Sequence, residues 1–104
     1  MIIYNVTINV DDSIHAEWLN WIKAHIPEVL GTGKFSGAKL TKVLVDEEMG
    51  GTTYSVQYMA KSREHLQAYY SEDAAGLRMD GVQRFGQSAL AFRTELEVID
   101  EFKA

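Results

Sequence analysis

Apolar residues fall at every second position near the start of the chain: Ile2, Tyr4, Val6, Ile8 and Val10, with Ile3, Asn5, Thr7 and Asn9 between them. A period of two is that of a strand whose faces meet different surroundings. A second run, Ala89 to Ile99, sets Leu90, Phe92, Leu96 and Val98 on one face and Arg93, Glu95 and Glu97 on the other. Between these ends lie a long helical pattern, a hairpin and a second helical pattern. The order is β-α-β-β-α-β, which constrains shape far more than chemistry.

The first helical pattern opens at Asp11, Asp12 and Ser13, whose side chains and charge suit the free amides of a first turn. Ile14, Trp18, Trp21, Ile22, His25 and Val29 then form one apolar stripe. Pro27 lacks an amide donor and crowds the preceding turn. The regular helix is therefore expected to kink or end near His25 or Ile26, with Pro27–Leu30 as a separate turn closed by Gly31 and Gly33. The second strand is expected over Ala38 to Asp46 and a glycine turn over Glu47–Gly51. The third strand, Thr52 to Ala60, sets Tyr54, Val56 and Tyr58 against Thr53, Ser55, Gln57 and Met59. Ser62 caps a second helix bearing Leu66, Tyr69, Tyr70, Ala74, Leu77 and Phe85. Gly76 and Gly81 weaken its interior by about 1 kcal/mol each relative to alanine, and Gly86 stops it.

Two right-handed β-α-β units joined by a hairpin give a ferredoxin-like α+β fold. Its four-stranded antiparallel sheet has strands one and three at the centre and two helices on one face. The helices are expected to cover Tyr4, Val6, Val56, Tyr58, Phe92 and Leu96. The opposite face is then polar, and it is where function is expected. Its candidate ligand-binding residues are Asn5, Asn9, Gln57, Arg93 and Glu95; no residue stands out as catalytic.

A length of 104 residues suits one domain, residues 1–104, burying roughly 60–65% of the surface of the unfolded chain. Ten basic against fifteen acidic residues leave a net charge of -5, the wrong sign for a nucleic-acid or anionic-membrane partner. Tyr4, Tyr54 and Tyr58 share the core face, so the open sheet lacks the stacking aromatics that an RNA-binding surface needs. The absence of cysteine removes disulfides and thiol chemistry. No run approaches the ~20 apolar residues of a membrane span. Met1-Ile2-Ile3-Tyr4 lacks the basic start of a signal peptide, and a cytoplasmic location is expected. His15, His25 and His65 belong to no metal-ligand spacing, so neither metal nor cofactor is expected.

Four segments taken together carry a family resemblance. They are Ile2-Ile3-Tyr4-Asn5-Val6-Thr7, Trp18-Leu19-Asn20-Trp21 with His25-Ile26-Pro27-Glu28-Val29-Leu30, Val45-Asp46-Glu47-Glu48-Met49-Gly50-Gly51, and Leu90-Ala91-Phe92-Arg93-Thr94-Glu95-Leu96. Over essentially the whole chain they resemble an uncharacterised bacterial family, domain-of-unknown-function family 4286. That family is similar to the dimeric α+β barrel superfamily, which includes cofactor-independent monooxygenases, haem-degrading enzymes and isomerases. The resemblance implies a homodimer whose two sheets face each other across their polar sides, with edge strands pairing between subunits. Haem-active members use a histidine on the second helix; His65 is the one candidate, and its place in the first turn argues against it. Monooxygenases of the superfamily use a strand asparagine toward substrate, a role open to Asn5 and Asn9, although polar alternation also simply solvates such a sheet.

Arg93 reads as a clamp for a carboxylate ligand or as the partner of a glutamate such as Glu95. Two functional readings follow. One is a homodimeric α+β barrel binding a small organic molecule in a polar cleft. The alternative is a non-catalytic regulatory or protein-interaction domain. Enzyme activity is left open by the sequence.

Overall fold

The N-terminal alternation becomes the centre of a sheet, because its two faces have different partners. In the computed structural model, which describes all 104 residues, β1 (Ile2–Val10) leads through a 3-10 turn (Asp12–Ile14) into α1 (His15–Leu30). The hairpin of β2 (Phe35–Lys42) and β3 (Thr52–Ala60) follows, then α2 (Arg63–Glu72), α3 (Ala74–Phe85) and β4 (Ala89–Glu97). The sheet order is β2-β3-β1-β4, antiparallel throughout. Strands one and three are central, as the ferredoxin-like pattern requires. No helix is long and apolar enough to cross a membrane.

The core lies on one side of the sheet. Tyr4, Ile8 and Val10 of β1 and Tyr54, Val56 and Tyr58 of β3 are buried beneath Trp18, Ile22 and Val29 of α1 and Leu66 and Tyr69 of α2. Tyr4 is its aromatic hub, with the rings of Phe35, Tyr58, Tyr69 and Tyr70 centred 5.7–6.2 Å away. Pairs at such distances each add about 0.5–1.5 kcal/mol beyond the area they bury.

Four features differ from the sequence expectation. First, α1 runs unbroken through Pro27 to Leu30. Pro27 and Lys23 are both exposed, so water can serve the Lys23 carbonyl that the proline leaves free. Meanwhile Val29, 1% exposed, anchors the last turn in the core. Second, β2 starts at Phe35 and ends at Lys42 rather than covering 38–46. Phe35 is buried against Tyr58 and Tyr69, whereas Leu44 and Val45 are exposed outside the sheet. Third, the second helix is two helices that meet at Asp73, not one weakened at its glycines. The bend lets Leu66 and Tyr69 before it and Ala74 and Phe85 after it all reach the sheet, and Lys34 holds it by bonding Glu72 at 3.0 Å and Asp73 at 3.2 Å.

The fourth difference decides where a ligand can go. In the β1–β4 ladder Tyr4 stands beside Glu95 and Val6 beside Arg93, while Thr7 stands beside Phe92 and Ile3 beside Leu96. Partners across an antiparallel ladder point the same way. Ala89, Ala91, Arg93 and Glu95 therefore face the helices, and Leu90, Phe92 and Leu96 face away at 51%, 69% and 44% exposure. This is the reverse of the expected placement of Phe92, Leu96, Arg93 and Glu95. The open face carries an apolar row at one edge beside a polar middle, and burying such a row needs something outside this chain.

Because Pro27 interrupts α1 at an exposed site, Pro27→Ala is expected to stabilise the fold by on the order of 1 kcal/mol, the helix gain outweighing the extra freedom of the unfolded chain. Urea unfolding of the two proteins measures it; a destabilised alanine variant would show that the proline relieves strain.

Candidate functional site

The reversed faces of β4 open a space on the helix side of the sheet. Ala89 and Ala91 are too small to fill the room beneath α3, and Gly81 on that helix and Gly86 just after it line the same space. The result is a cavity of about 110 Å³ lined by 19 residues, 14 of them hydrophobic. Val6, Ile8, Val56 and Tyr58 form its floor, and α1 contributes Trp21, Ile22 and His25. The mouth lies where Val82, Gly86, Ala91 and Arg93 are exposed, between α3 and β4.

Two glycines shape this region. Gly86 holds φ at +53°, a conformation that favours glycine and ends α3. A Cβ on Gly81 would stand 2.9 Å from the Trp21 ring, so the bare backbone there lets the indole pack against α3. Trp21 Nε1 donates to Asp80 at 2.7 Å, and Arg84 Nε donates to the other carboxylate oxygen at 3.1 Å. These two donors hold the Asp80 carboxyl below the usual carboxylate range. The indole also stacks on His25, with ring centres 4.4 Å apart, and meets Phe85 edge-on.

His25 Nδ1 and Arg78 Nε are buried without a hydrogen-bond partner, and both residues line the cavity. Buried polar atoms are nearly always paired with protein or ordered water, and these two belong to residues that line one space. Burial holds the His25 imidazole below its ordinary pKa, and Arg93 pushes the same way against the pull of Glu28 and Asp80. Arg78 is fixed by its Nη2, which donates to the Tyr4 hydroxyl at 2.8 Å. The Tyr58 phenol is pushed up by burial and by its tyrosine neighbours, and so remains a neutral donor.

Of the five residues singled out from sequence, only Arg93 lines this cavity. Glu95 is on the same side but occupied: Arg63 donates to one oxygen and Tyr70 to the other, each at 2.6 Å. Arg63 and then Tyr70 keep its carboxyl below the ordinary range. Asn5, Asn9 and Gln57 stand on the opposite face. There Asn5 donates to Thr7 and Thr94 and accepts from Ser55, and Asn9 donates to Thr53. His65 is exposed and bonded to the Ser62 hydroxyl at 2.6 Å. No group of three or more His, Asp or Glu side chains is placed to hold a metal ion.

From sequence, Trp21 and His25 are placed in the packing stripe of the first helix in preference to a ligand or metal site, and Arg78 is not among the candidates. A signal for Arg78 did exist: Ala74, Arg78, Gly81 and Phe85 recur at helical spacing, which puts a charge and a glycine on the inward stripe of α3.

The architecture is that of a ferredoxin-like α+β protein with a cavity between sheet and helices. The chain belongs to the domain-of-unknown-function family DUF4286, whose model matches residues 1–99. No curated protein matches it at a significant level. Among solved structures it is similar to a dimeric ferredoxin-like protein from an uncultured marine organism, with TM-score 0.70 and 16% identity over 97% of each chain. A MhuD variant with two manganese protoporphyrin IX molecules per active site aligns at TM-score 0.67 and 22% identity over 100% of each chain. An EthD-family protein from Bacillus halodurans aligns at TM-score 0.68 and 16% identity, over 95% of this chain and 100% of the other. At these identities the likeness establishes the fold.

Since burial lowers the His25 pKa, the unfolded state takes up protons first as pH falls through about 6.5. Stability is then complete above that pH and declines through the window between 6.5 and the depressed native value. Nuclear magnetic resonance titration should place the His25 midpoint below 6.5, and His25→Gln should flatten melting temperature over that window. A midpoint at or above 6.5 would contradict the buried, neutral imidazole.

Proposed function

We propose that the protein binds a small organic molecule in the cavity between sheet and helices, and that residues 1–104 act as one unit in a homodimer. The observation that carries the binding reading is the pair of unpartnered buried polar atoms, His25 Nδ1 and Arg78 Nε, on residues that line a mainly apolar space. Apolar walls with a few converging polar groups are the usual form of a small-molecule site. The cavity is somewhat smaller than the ~150 Å³ space that accepts benzene in an engineered protein, so the part of the ligand it holds is about one ring.

Binding fits the lining better than turnover does. The lining holds no Ser, Thr, Asp or Glu, and His25 is the one group there able to exchange a proton near neutral pH. The porphyrin of the MhuD structure does not suit this space. A tetrapyrrole is several times larger than one ring, and the histidine present is stacked under Trp21.

Homodimerisation is favoured by the apolar row Leu90, Phe92 and Leu96 along one edge of the open face. Facing sheets would bury that row and bring Asn5, Asn9 and Gln57 toward the partner across the polar middle, where they would line a second, inter-subunit cleft. An open edge strand beside an exposed apolar row also favours association. The dimeric relative from the marine organism supports this reading.

Benzene is expected to raise the melting temperature of the wild-type protein, and Ala91→Phe, which fills the space, to abolish the shift while the protein stays folded. Equal shifts in both proteins would place benzene elsewhere and sink the reading. Separately, Phe92→Asp should convert a dimer to a monomer in sedimentation velocity at micromolar concentration. A wild-type monomer, or a dimer indifferent to Phe92→Asp, would remove the proposed interface.

A further inference from the structure

The chain contains four arginines, and they divide cleanly. Arg63 is paired with Glu95 at 2.6 Å and Arg84 with Asp80 at 3.1 Å. Arg78 and Arg93 have no carboxylate partner, and both line the cavity described above. Not one of its 19 lining residues is acidic, although acidic residues outnumber basic ones fifteen to ten over the chain. Arg78, half-buried and without a carboxylate partner, gains from an anion in this space, and Arg93 at the solvated mouth adds its attraction.

Resting on the reading of this cavity as a binding site, we propose that its ligand is a small aromatic carboxylate, ring inward and charge outward toward Arg78 and Arg93. The ring lies among Val6, Val56, Trp21 and Phe85. Arg78 is already oriented by the bond from its Nη2 to the Tyr4 hydroxyl, which leaves the unpartnered Nε free to donate to the carboxylate. A bond from a guanidinium to a carboxylate oxygen is charge-assisted and roughly twice as strong as a neutral one. Arg93, exposed at the mouth on β4, meets the second oxygen and gives an anion an entry route from solvent. Tyr69 also lines the space, and both guanidiniums act on its phenol. Burial nevertheless pushes that phenol up to about 12, so it donates to an anion rather than competing as one. A neutral ring would leave Arg78 Nε unsatisfied, and a cationic one would meet two like charges.

The test is a titration of the full chain with benzoate, benzamide and benzylamine, followed by calorimetry and tryptophan fluorescence. Benzoate is expected to bind at least about ten-fold more tightly than benzamide, with benzylamine weakest. Arg93→Gln, at an exposed site, should bring the benzoate-to-benzamide ratio close to one while benzamide binding persists. Arg78→Gln should do the same, provided its circular dichroism matches wild type. Ala91→Phe should remove binding of both. Comparable binding of benzoate and benzamide, or a preference for benzylamine, would overturn the anion proposal and leave the cavity reading standing. An unchanged ratio in folded Arg93→Gln and Arg78→Gln would also overturn it. Failure of all three compounds and of benzene to bind would overturn the cavity reading itself.

Discussion

The pairing register of β4 against β1 is the constraint on which the rest of this structure turns. Sliding that ladder by one residue would place Leu90, Phe92 and Leu96 under the helices and fill the space that Ala89 and Ala91 leave. The core would then be tighter and the open face more polar. The observed register instead leaves a void beneath α3 and an apolar row on the far side. One choice of alignment thus produces both the cavity on the helix side and the exposed apolar row on the other. Several contacts fix the choice. The Asp11 amide donates to the Ser88 carbonyl at 2.8 Å just before the strand, and Glu95 is held on the helix side by Arg63 and Tyr70.

Most of the architecture was legible because it rests on local periodicity. The period-two runs of β1 and β3 carry strong contrast between faces, and each emerged on the expected side of the sheet. The misplaced features share a cause, which is that tertiary contacts outweighed a local rule. Pro27 is a poor helix residue, yet the burial of Val29 two positions later retains the last turn. Phe35 precedes a weakly patterned stretch, yet an aromatic pocket draws it into β2. The reversal of β4 could not be read from its own residues. Leu90, Phe92 and Leu96 announce an apolar face, but a sheet has two, and the alternation does not say which one the helices of the same chain will cover.

The candidate site was legible in fragments for the same reason. Strand alternation singles out Asn5, Asn9 and Gln57 on the open face, and Arg93 and Glu95 join them only through the reversed face of β4. The cavity depends on residues that look unremarkable one at a time: two alanines, a glycine, and an arginine on a helical stripe. Their meaning is collective. Ala89, Ala91 and Gly81 remove volume from facing elements, and Arg78 and Arg93 bring charge to the place where volume is missing. In a chain rich in acidic residues, the withholding of every carboxylate from that lining is as informative as the guanidiniums themselves.

The close seat of the Trp21 indole on the bare backbone at position 81 has a consequence for homologues of this chain. Any side chain introduced there must displace the indole, which itself lines the cavity. The bore of the chamber is thereby tied to a single methyl group in a neighbouring element. Relatives that differ at this one position are expected to enclose a cavity of different width.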